Sequence, residues 1–233
     1  MKLSVLIPVY NEEETLREIV QRVLEQPWEK ELILVDDASS DGTAAILEEL
    51  AREHAEVEVR RHSTNLGKGA ALRTALASFT GDVVLIQDAD LEYDPSDYAV
   101  LLEPIQRGRA DVVYGSRFQG GKFSRVHLYH HYLGNRLLTM LSNFVTNLNL
   151  TDMETCYKVF KADVARRLDL RSKTFAVEPE ITCKVAKMRV KIYEVPISYA
   201  GRDYSAGKKI RPRDGLWAVL SILRWGVFGS TPK

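Results

Sequence analysis

Cysteine is scarce in this chain: Cys156 and Cys183 are the only two among 233 residues, and they show no metal-ligand spacing. Reduced, partly buried thiols in a cytosolic protein are the expected reading, not a disulfide framework. Long apolar runs are missing as well, since none approaches the ~18–20 residues needed to cross a bilayer. No basic region followed by an apolar one precedes the strand-like run at Leu3, so no secretory leader is expected. Internal repeats and low-complexity segments are absent. Neither of the first two strand-like runs is followed by the glycine fingerprint of a dinucleotide fold, which argues against a nicotinamide enzyme. Net charge is zero, with 32 Lys/Arg against 32 Asp/Glu.

What remains fits one large soluble domain. Hydrophobic residues make up 45% and charged residues 27%, ordinary values for a globular protein long enough to enclose a substantial core. The zero net charge hides an asymmetry. Residues 1–120 hold 12 Lys/Arg and 23 Asp/Glu, a net −11, and residues 121–233 hold 20 and 9, a net +11. An acidic half can manage a metal, and a basic half can meet phosphate-rich partners or an anionic membrane surface. The structural alternative is attraction between two halves of one fold.

Strand-like runs recur at Leu3–Val9, Leu32–Val35, Val57–Arg60, Val83–Ile86 and Val112–Tyr114. Between them, Leu16, Ile19, Val20, Val23 and Leu24 make an amphipathic helical stripe. Ile46, Leu47, Leu50 and Ala51 make a second, opened by Ser39, Ser40 and Asp41 as capping residues. Ala71, Leu72, Ala75, Leu76 and Phe79 make a third. Alternation of this kind predicts right-handed crossovers and a largely parallel sheet. Later, Leu128–Leu148 and Val177–Met188 read as helices, and Arg189–Tyr199 as a strand that Pro196 places at an edge. Leu216–Phe228, with Trp217, Leu220, Leu223 and Trp225, suits either a membrane interface or packing against the domain.

The fourth run ends abruptly in acid, at Asp88-Ala89-Asp90-Leu91-Glu92. Two carboxylates one residue apart, at the C-terminal end of a buried parallel strand, lie where open α/β sheets place their ligands. They repel unless a cation sits between them. An all-oxygen pair suits Mg²⁺ or Mn²⁺, with substrate phosphates completing the octahedron. The plainer alternative is a solvated acidic turn. On the same rim, Asp36 or Asp37 suits recognition of a base or ribose hydroxyls. Asn65-Leu66-Gly67-Lys68-Gly69 precedes a helix, so its amides and Lys68 suit phosphate, with a simple helix start as the alternative.

In order along the chain stand Ile7-Pro8-Val9-Tyr10-Asn11-Glu12, Val35-Asp36-Asp37-Ala38-Ser39-Ser40-Asp41-Gly42-Thr43, Asp88-Ala89-Asp90 and Gly115-Ser116-Arg117. This series resembles the family 2 glycosyltransferases, most closely the dolichyl- and polyprenyl-phosphate mannose and glucose synthases. The likeness continues through Thr151-Asp152-Met153-Glu154-Thr155-Cys156-Tyr157-Lys158, Val195-Pro196-Ile197, Arg202-Asp203-Tyr204 and Gly207-Lys208.

The resemblance implies an α/β nucleotide-sugar-binding fold of the GT-A kind, a single domain with a mostly parallel central sheet flanked by helices. Residues 1–117 would form the nucleotide- and metal-binding half, residues 118–215 the acceptor half, and residues 216–233 an amphipathic C-terminal segment. It also implies inverting transfer of a hexose from GDP-mannose or UDP-glucose to a polyprenyl phosphate, at the cytoplasmic face of a membrane that the protein contacts peripherally. No nucleic-acid partner is expected. Carried over by residue, Pro8, Tyr10, Glu12 and Asp37 would meet the nucleoside. Asp88 and Asp90 would hold the metal, with Glu92 as a further ligand. Arg117 would face the acceptor phosphate, and Arg202 and Lys208 would close over the diphosphate.

The chemistry is consistent with that assignment. Charge left on a nucleoside diphosphate is stabilised by a divalent ion and fixed cations. A phosphate acceptor, with a second pKa of about 6, needs positioning more than deprotonation. A sugar hydroxyl would need a base, for which Asp152 and Glu154 are the candidates. The sequence departs from these synthases where they carry an arginine and a serine on the acceptor helix. Here the stretch holds His127, His131 and Asn135, and histidines bind phosphate when protonated. Thr155-Cys156-Tyr157-Lys158 likewise replaces the usual Ser-Gly-Phe-Arg. A saccharide or small soluble acceptor is the rival within the fold. A non-catalytic nucleotide-sugar sensor is the rival outside it. A sugar-nucleotide pyrophosphorylase would need a glycine-rich basic turn where Asn11-Glu12-Glu13-Glu14 is acidic.

Overall fold

β1 (Leu3–Val9) runs through the middle of the molecule, and six of its seven residues are buried, which explains its unbroken apolar sequence. The structure is a computed structural model and describes residues 1–120, 129–201 and 212–229. The other strands are β2 (Lys30–Asp36), β3 (Val57–Arg61), β4 (Val83–Ile86), β5 (Val112–Ser116), β6 (Lys158–Lys161) and β7 (Ile192–Pro196). They form one sheet in the order β3-β2-β1-β4-β6-β5-β7. Only β6 runs antiparallel to its neighbours β4 and β5.

The helices are α1 (Leu16–Leu24), α2 (Thr43–Glu53), α3 (Lys68–Leu76), α4 (Tyr98–Gln106), α5 (Tyr129–Thr146), α6 (Ala162–Arg166), α7 (Val177–Met188) and α8 (Pro212–Ser221). α8 continues into a π-helical turn, Ile222–Val227. The fold is thus a single-domain, mostly parallel α/β sheet flanked by helices.

The strand order locates the site. From β1 the chain winds outward through β2 to β3, then returns to the other side of β1 as β4. The order reverses between β1 and β4, and ligands bind at the C-terminal ends of strands at such a point. The β1–β4 ladder stops at Leu6↔Ile86, while β1 stays paired with β2 as far as Val9↔Asp36. Past Leu6, β1 therefore parts from β4, and Pro8, which has no N–H to pair, lies in that freed stretch.

Two elements differ from the expectation. A 3₁₀ turn at Pro95–Asp97 and α4 occupy a stretch in which no helix was expected, because Pro104 interrupts the helical pattern near its end. β6 is only four residues, with two apolar residues between lysines. It comes from the C-terminal half yet lies between β4 and β5. Pro196 does end an edge strand, since β7 pairs with β5 alone.

Candidate active site

One end of the rim is built where the ends of β1 and β2 are stitched together. Asn11, at φ +49°, donates its backbone N–H to Ser39 Oγ at 2.9 Å, and its Oδ1 accepts from Ser40 N at 2.8 Å. Glu12 N donates to Thr43 Oγ1 at 2.9 Å, and Thr15 Oγ1 reaches both Glu12 Oε2 and Ala89 O. Pro8, Tyr10, Glu12, Asp36 and Asp37 are thereby gathered on two adjacent strand ends, with Tyr10 the exposed member.

The two aspartates are both buried and differently employed. Asp36 accepts from Ser39 N at 2.9 Å and pairs with Arg61 Nε at 3.1 Å. Asp37 faces the turn before α3. Its Oδ1 accepts from Leu66 N at 2.9 Å and lies 2.7 Å from His62 Nδ1, and its Oδ2 accepts from Gly67 N at 2.6 Å.

The start of α3 differs from the expected phosphate cradle. The amides of Gly69 and Ala70 donate to the carbonyl oxygen of Lys173, so they serve the protein itself. Gly67 has φ +92°, and a side chain at Gly67 or Gly69 would collide with the carbonyls of Lys173 and Ser172. Lys68 Nζ forms ion pairs with Asp88 Oδ1 at 2.9 Å and with Glu178 Oε1 at 3.0 Å. Glu178 Oε2 in turn pairs with the buried ammonium of Lys158, which also donates to Thr155 O. Two cations and two acids thus alternate from the end of β4 to α7.

This ladder sets local protonation. Burial opposes charge on Asp88, but the Lys68 ammonium outweighs it and holds the carboxyl below its ordinary range. Burial likewise works against Lys68, and Asp88 overcomes it, raising the ammonium pKa. Burial and then the charge of Asp88 push the Cys156 thiol up as well, so it stays protonated. Both cysteines are buried and unbridged, as expected.

Asp90 and Glu92 stand beside Asp88 on a tight turn in which Leu91 has φ +61°. Glu92 N donates to Asp90 Oδ1 at 3.2 Å, Glu92 Oε2 accepts from Tyr199 OH at 2.9 Å, and Glu92 O accepts from Ala200 N. Among the described residues no group of three or more His, Cys, Asp or Glu side chains forms a cage for a metal. An oxygen-only pair on one turn fits an ion that arrives with a diphosphate and takes most of its ligands from it. Asp88 already shares its charge with Lys68, so the three acids are not equivalent.

Just past the end of β5, Arg117 lies against Asp152. Its Nε meets Oδ2 at 2.6 Å, its Nη2 meets Oδ1 at 2.7 Å, and its backbone N–H donates to Oδ2 at 3.1 Å. The guanidinium also lies over the rings of Tyr199 and Phe118, at 5.1 and 5.5 Å. Asp152 is fully buried, and both its oxygens serve Arg117, a geometry that suits an anchor for the guanidinium. Glu194 secures the anchor by accepting from the amides of Thr151 and Asp152 at 2.9 and 3.0 Å.

Glu154 is different. Its Oε1 is sealed from solvent with no hydrogen-bond partner among the described residues. Burial, then the charge of Glu178, raises its pKa to about 7. His131 and Asn135 are half-buried and one turn apart on α5, whose Tyr132 meets Phe118 edge-on at 5.2 Å. His127, Arg202 and Lys208 lie outside the described residues.

The partners missing from the sequence reading are His62, Glu178 and Glu194. Glu178 had a signal: α7 is buried on nearly every side yet carries Glu178, Glu180 and Lys184, and buried charges must be paired.

Comparison with known proteins fits this architecture. Residues 4–169 match the model of the glycosyl transferase family 2. An undecaprenyl-phosphate mannosyltransferase of Micrococcus luteus is 31% identical over 241 residues, covering 97% of this chain and 95% of the relative. A polyprenol monophosphomannose synthase of Mycolicibacterium smegmatis is 30% identical, covering 97% and 87%. The glucosyl-3-phosphoglycerate synthase of Mycobacterium tuberculosis, in complex with Mn²⁺, uridine diphosphate and glucosyl-3-phosphoglycerate, superposes with a TM-score of 0.73. That likeness covers 96% of this chain and 79% of the other at 20% identity.

Proposed function

The chain belongs to the glycosyl transferase family 2, and we propose that it transfers a hexose, with inversion, from a nucleotide sugar to the phosphate of a polyprenyl phosphate. Arg117 carries the reading: it is a guanidinium held in place by Asp152, Tyr199 and Phe118 at the end of β5, on the rim shared with Asp88 and Asp90. Such a group binds a phosphate oxyanion in fixed orientation. Attack by that oxygen on the anomeric carbon breaks the sugar–phosphate bond, and the nucleoside diphosphate departs. The acceptor oxygen is already ionised at neutral pH, so alignment supplies most of the catalysis.

On the donor side, Pro8, Tyr10, Glu12, Asp36 and Asp37 bind the nucleoside, and Arg202 and Lys208 meet the diphosphate. Lys68 acts from beneath, through Asp88. His127, His131 and Asn135 flank the acceptor phosphate. Asp88, Asp90 and Glu92 are the acids that would hold Mg²⁺ or Mn²⁺, which when bound neutralises charge on the departing diphosphate. GDP-mannose is the donor to offer first, because both named relatives are mannosyl enzymes.

The lipid fits a second feature. α5 is inverted relative to a normal surface helix: Thr139 and Ser142 are buried, while Met140 and Phe144 are 63% and 87% exposed. Leu133 and Leu137 extend that exposed stripe. The C-terminal segment docks on the domain through Ala218, Ser221 and Ile222, yet leaves Leu216, Trp217, Leu220 and Phe228 exposed beside α5. An apolar face this broad suits peripheral contact with the cytoplasmic surface of a membrane. No helix among the described residues is long and apolar enough to cross one.

Glu154 favours a second reading, a hydroxyl-bearing soluble acceptor, because a carboxyl with a pKa of about 7 is suited to general-base work. Radiolabelled GDP-mannose and UDP-glucose, offered with Mn²⁺ and with or without undecaprenyl phosphate, separate the two. Label should enter the lipid fraction only when the lipid phosphate is present. Donor consumption that needs only a soluble sugar would defeat the lipid proposal, and parental turnover by Asp90→Asn would remove the metal role.

A further inference from the structure

His62 lies on the nucleoside side of the site, and neither the motifs nor the proposed chemistry uses it. Its two ring nitrogens are both engaged: Nδ1 lies 2.7 Å from Asp37 Oδ1, and Nε2 lies 2.9 Å from Thr74 Oγ1 on α3. Its backbone N–H donates to Asp36 O at 2.9 Å. Asp37 then holds the amides of Leu66 and Gly67, the two residues that lead into Lys68. Lys68 reaches across to Asp88 and Glu178. Within the turn 62–68, one continuous set of bonds ties the carboxylate proposed to read the nucleoside to the cation seated on the diphosphate side.

The turn has little room to rearrange. Asp37 is 3% exposed, so its carboxylate is desolvated and depends on its protein donors. Carbonyls of Ser172 and Lys173 crowd Gly67 and Gly69, and Glu180 holds the chain just before them by accepting from Arg171 N and Ser172 N at 2.8 and 2.6 Å. With the far side of the turn braced, the orientation of Asp37 decides where Lys68 stands. Among the described residues, His62 is the side chain that holds Asp37 while itself being held by α3.

We infer that His62 is a positioning residue for the donor: it orients Asp37 and, through the 62–68 turn, Lys68, so that the nucleoside and diphosphate ends of the site form one rigid unit. The inference rests on the nucleotide-sugar reading above and adds a residue that reading does not contain. It predicts an effect on donor binding and little effect on the chemical step. Asparagine can place an amide donor where Nδ1 lies, so His62→Asn keeps the bond to Asp37 and loses the one to Thr74.

The test measures GDP and UDP affinity with Mn²⁺ by calorimetry, and amide hydrogen exchange over residues 62–70, for the parent, His62→Ala, His62→Asn and Thr74→Val. Loss of a hydrogen bond to a buried carboxylate corresponds to roughly a 10- to 100-fold change in affinity. His62→Ala should weaken nucleotide binding by about that factor and speed exchange at Leu66 and Gly67. His62→Asn should restore most of both, and Thr74→Val should fall between. In turnover, KM for the donor should rise while kcat stays within about threefold. If the parent binds neither nucleotide, the donor reading fails and this inference with it. If the parent binds and His62→Ala matches it in affinity and exchange, the inference alone fails. Should His62→Ala not fold, parental affinity and parental exchange in Thr74→Val would overturn the inference.

Discussion

Arg117 and Asp152 meet as a two-pronged fork, Nε on Oδ2 and Nη2 on Oδ1, with the carboxylate fully buried behind the guanidinium. Under the proposed function, this orientation gives Asp152 the task of holding Arg117 for the acceptor phosphate. Breaking a buried pair by removing one partner costs about 3–5 kcal/mol, because the other charge is left uncompensated. Asp152→Asn is therefore expected to lower unfolding free energy in denaturant titrations by about 3 kcal/mol. It should also lower kcat/KM for polyprenyl phosphate by about 100-fold. Arg117→Lys should not recover activity, since an ammonium cannot reproduce the fork. Parental kcat/KM in a folded Asp152→Asn protein would show that the fork does not serve the acceptor.

Glu154 gives a pH signature. Its pKa in the folded protein is raised to about 7 from the ordinary value of 4.5. The folded state thus binds the proton more tightly than the unfolded chain, and stability falls as pH rises from about 4.5 through 7. Below that window the group contributes nothing, and above it the full penalty stands. Glu154→Gln, which cannot ionise, should raise Tm relative to the parent at pH 8 and match it at pH 4.5. The same variant separates the acceptors: transfer to a lipid phosphate should survive, whereas transfer to a hydroxyl that needs a base should fall by about 10²- to 10⁴-fold.

Much of this site was legible as sequence. Asp88 and Asp90 follow a four-residue buried strand, and the reversal between β1 and β4 carries them to the rim with Pro8 and Asp37. Strand-end position follows from local pattern, so these residues could be placed without coordinates. Their partners could not. His62 is 25 residues from Asp37, Glu178 is 20 from Lys158, and Glu194 is 42 from Asp152. Such pairings depend on how elements pack, which periodicity does not encode. The ion pairs of Lys68 with Asp88 and Glu178 were hidden for the same reason, since they depend on how the start of α3 packs against Ser172 and Lys173.

Those carbonyls make Gly69 a sensitive point. A methyl group there would collide with Ser172 O and press on Val177. Overpacking of this kind costs about 1–3 kcal/mol, although alanine favours a helix interior by up to about 1 kcal/mol over glycine. Gly69→Ala should be net destabilising, lowering the urea midpoint at unchanged m-value. It should also weaken nucleotide binding, because the displaced helix start carries Lys68 away from Asp88. A raised midpoint would mean that the 172–174 segment yields readily and is not the brace described above.

The exposed stripe on α5 can be separated from the fold that carries it. Leu137 and Phe144 stand two turns apart on its outer face, and Trp217 stands on the neighbouring α8; all three side chains are at least half exposed. Substitutions at such positions usually change stability by no more than about 0.5 kcal/mol. The double variant Leu137→Glu/Phe144→Glu should therefore melt like the parent and retain nucleotide affinity. Carboxylates facing an anionic surface are repelled, and two large apolar contacts are lost, each worth about 1.5–3 kcal/mol when buried. Co-sedimentation with vesicles containing phosphatidylglycerol should drop by at least 100-fold for this variant, and Trp217→Glu should lower it further. Transfer to undecaprenyl phosphate in vesicles should fall in parallel, while transfer to a short, soluble prenyl phosphate is preserved. Parental sedimentation by both variants would move the membrane contact elsewhere, and equal loss on both acceptors would place the stripe in the acceptor site itself.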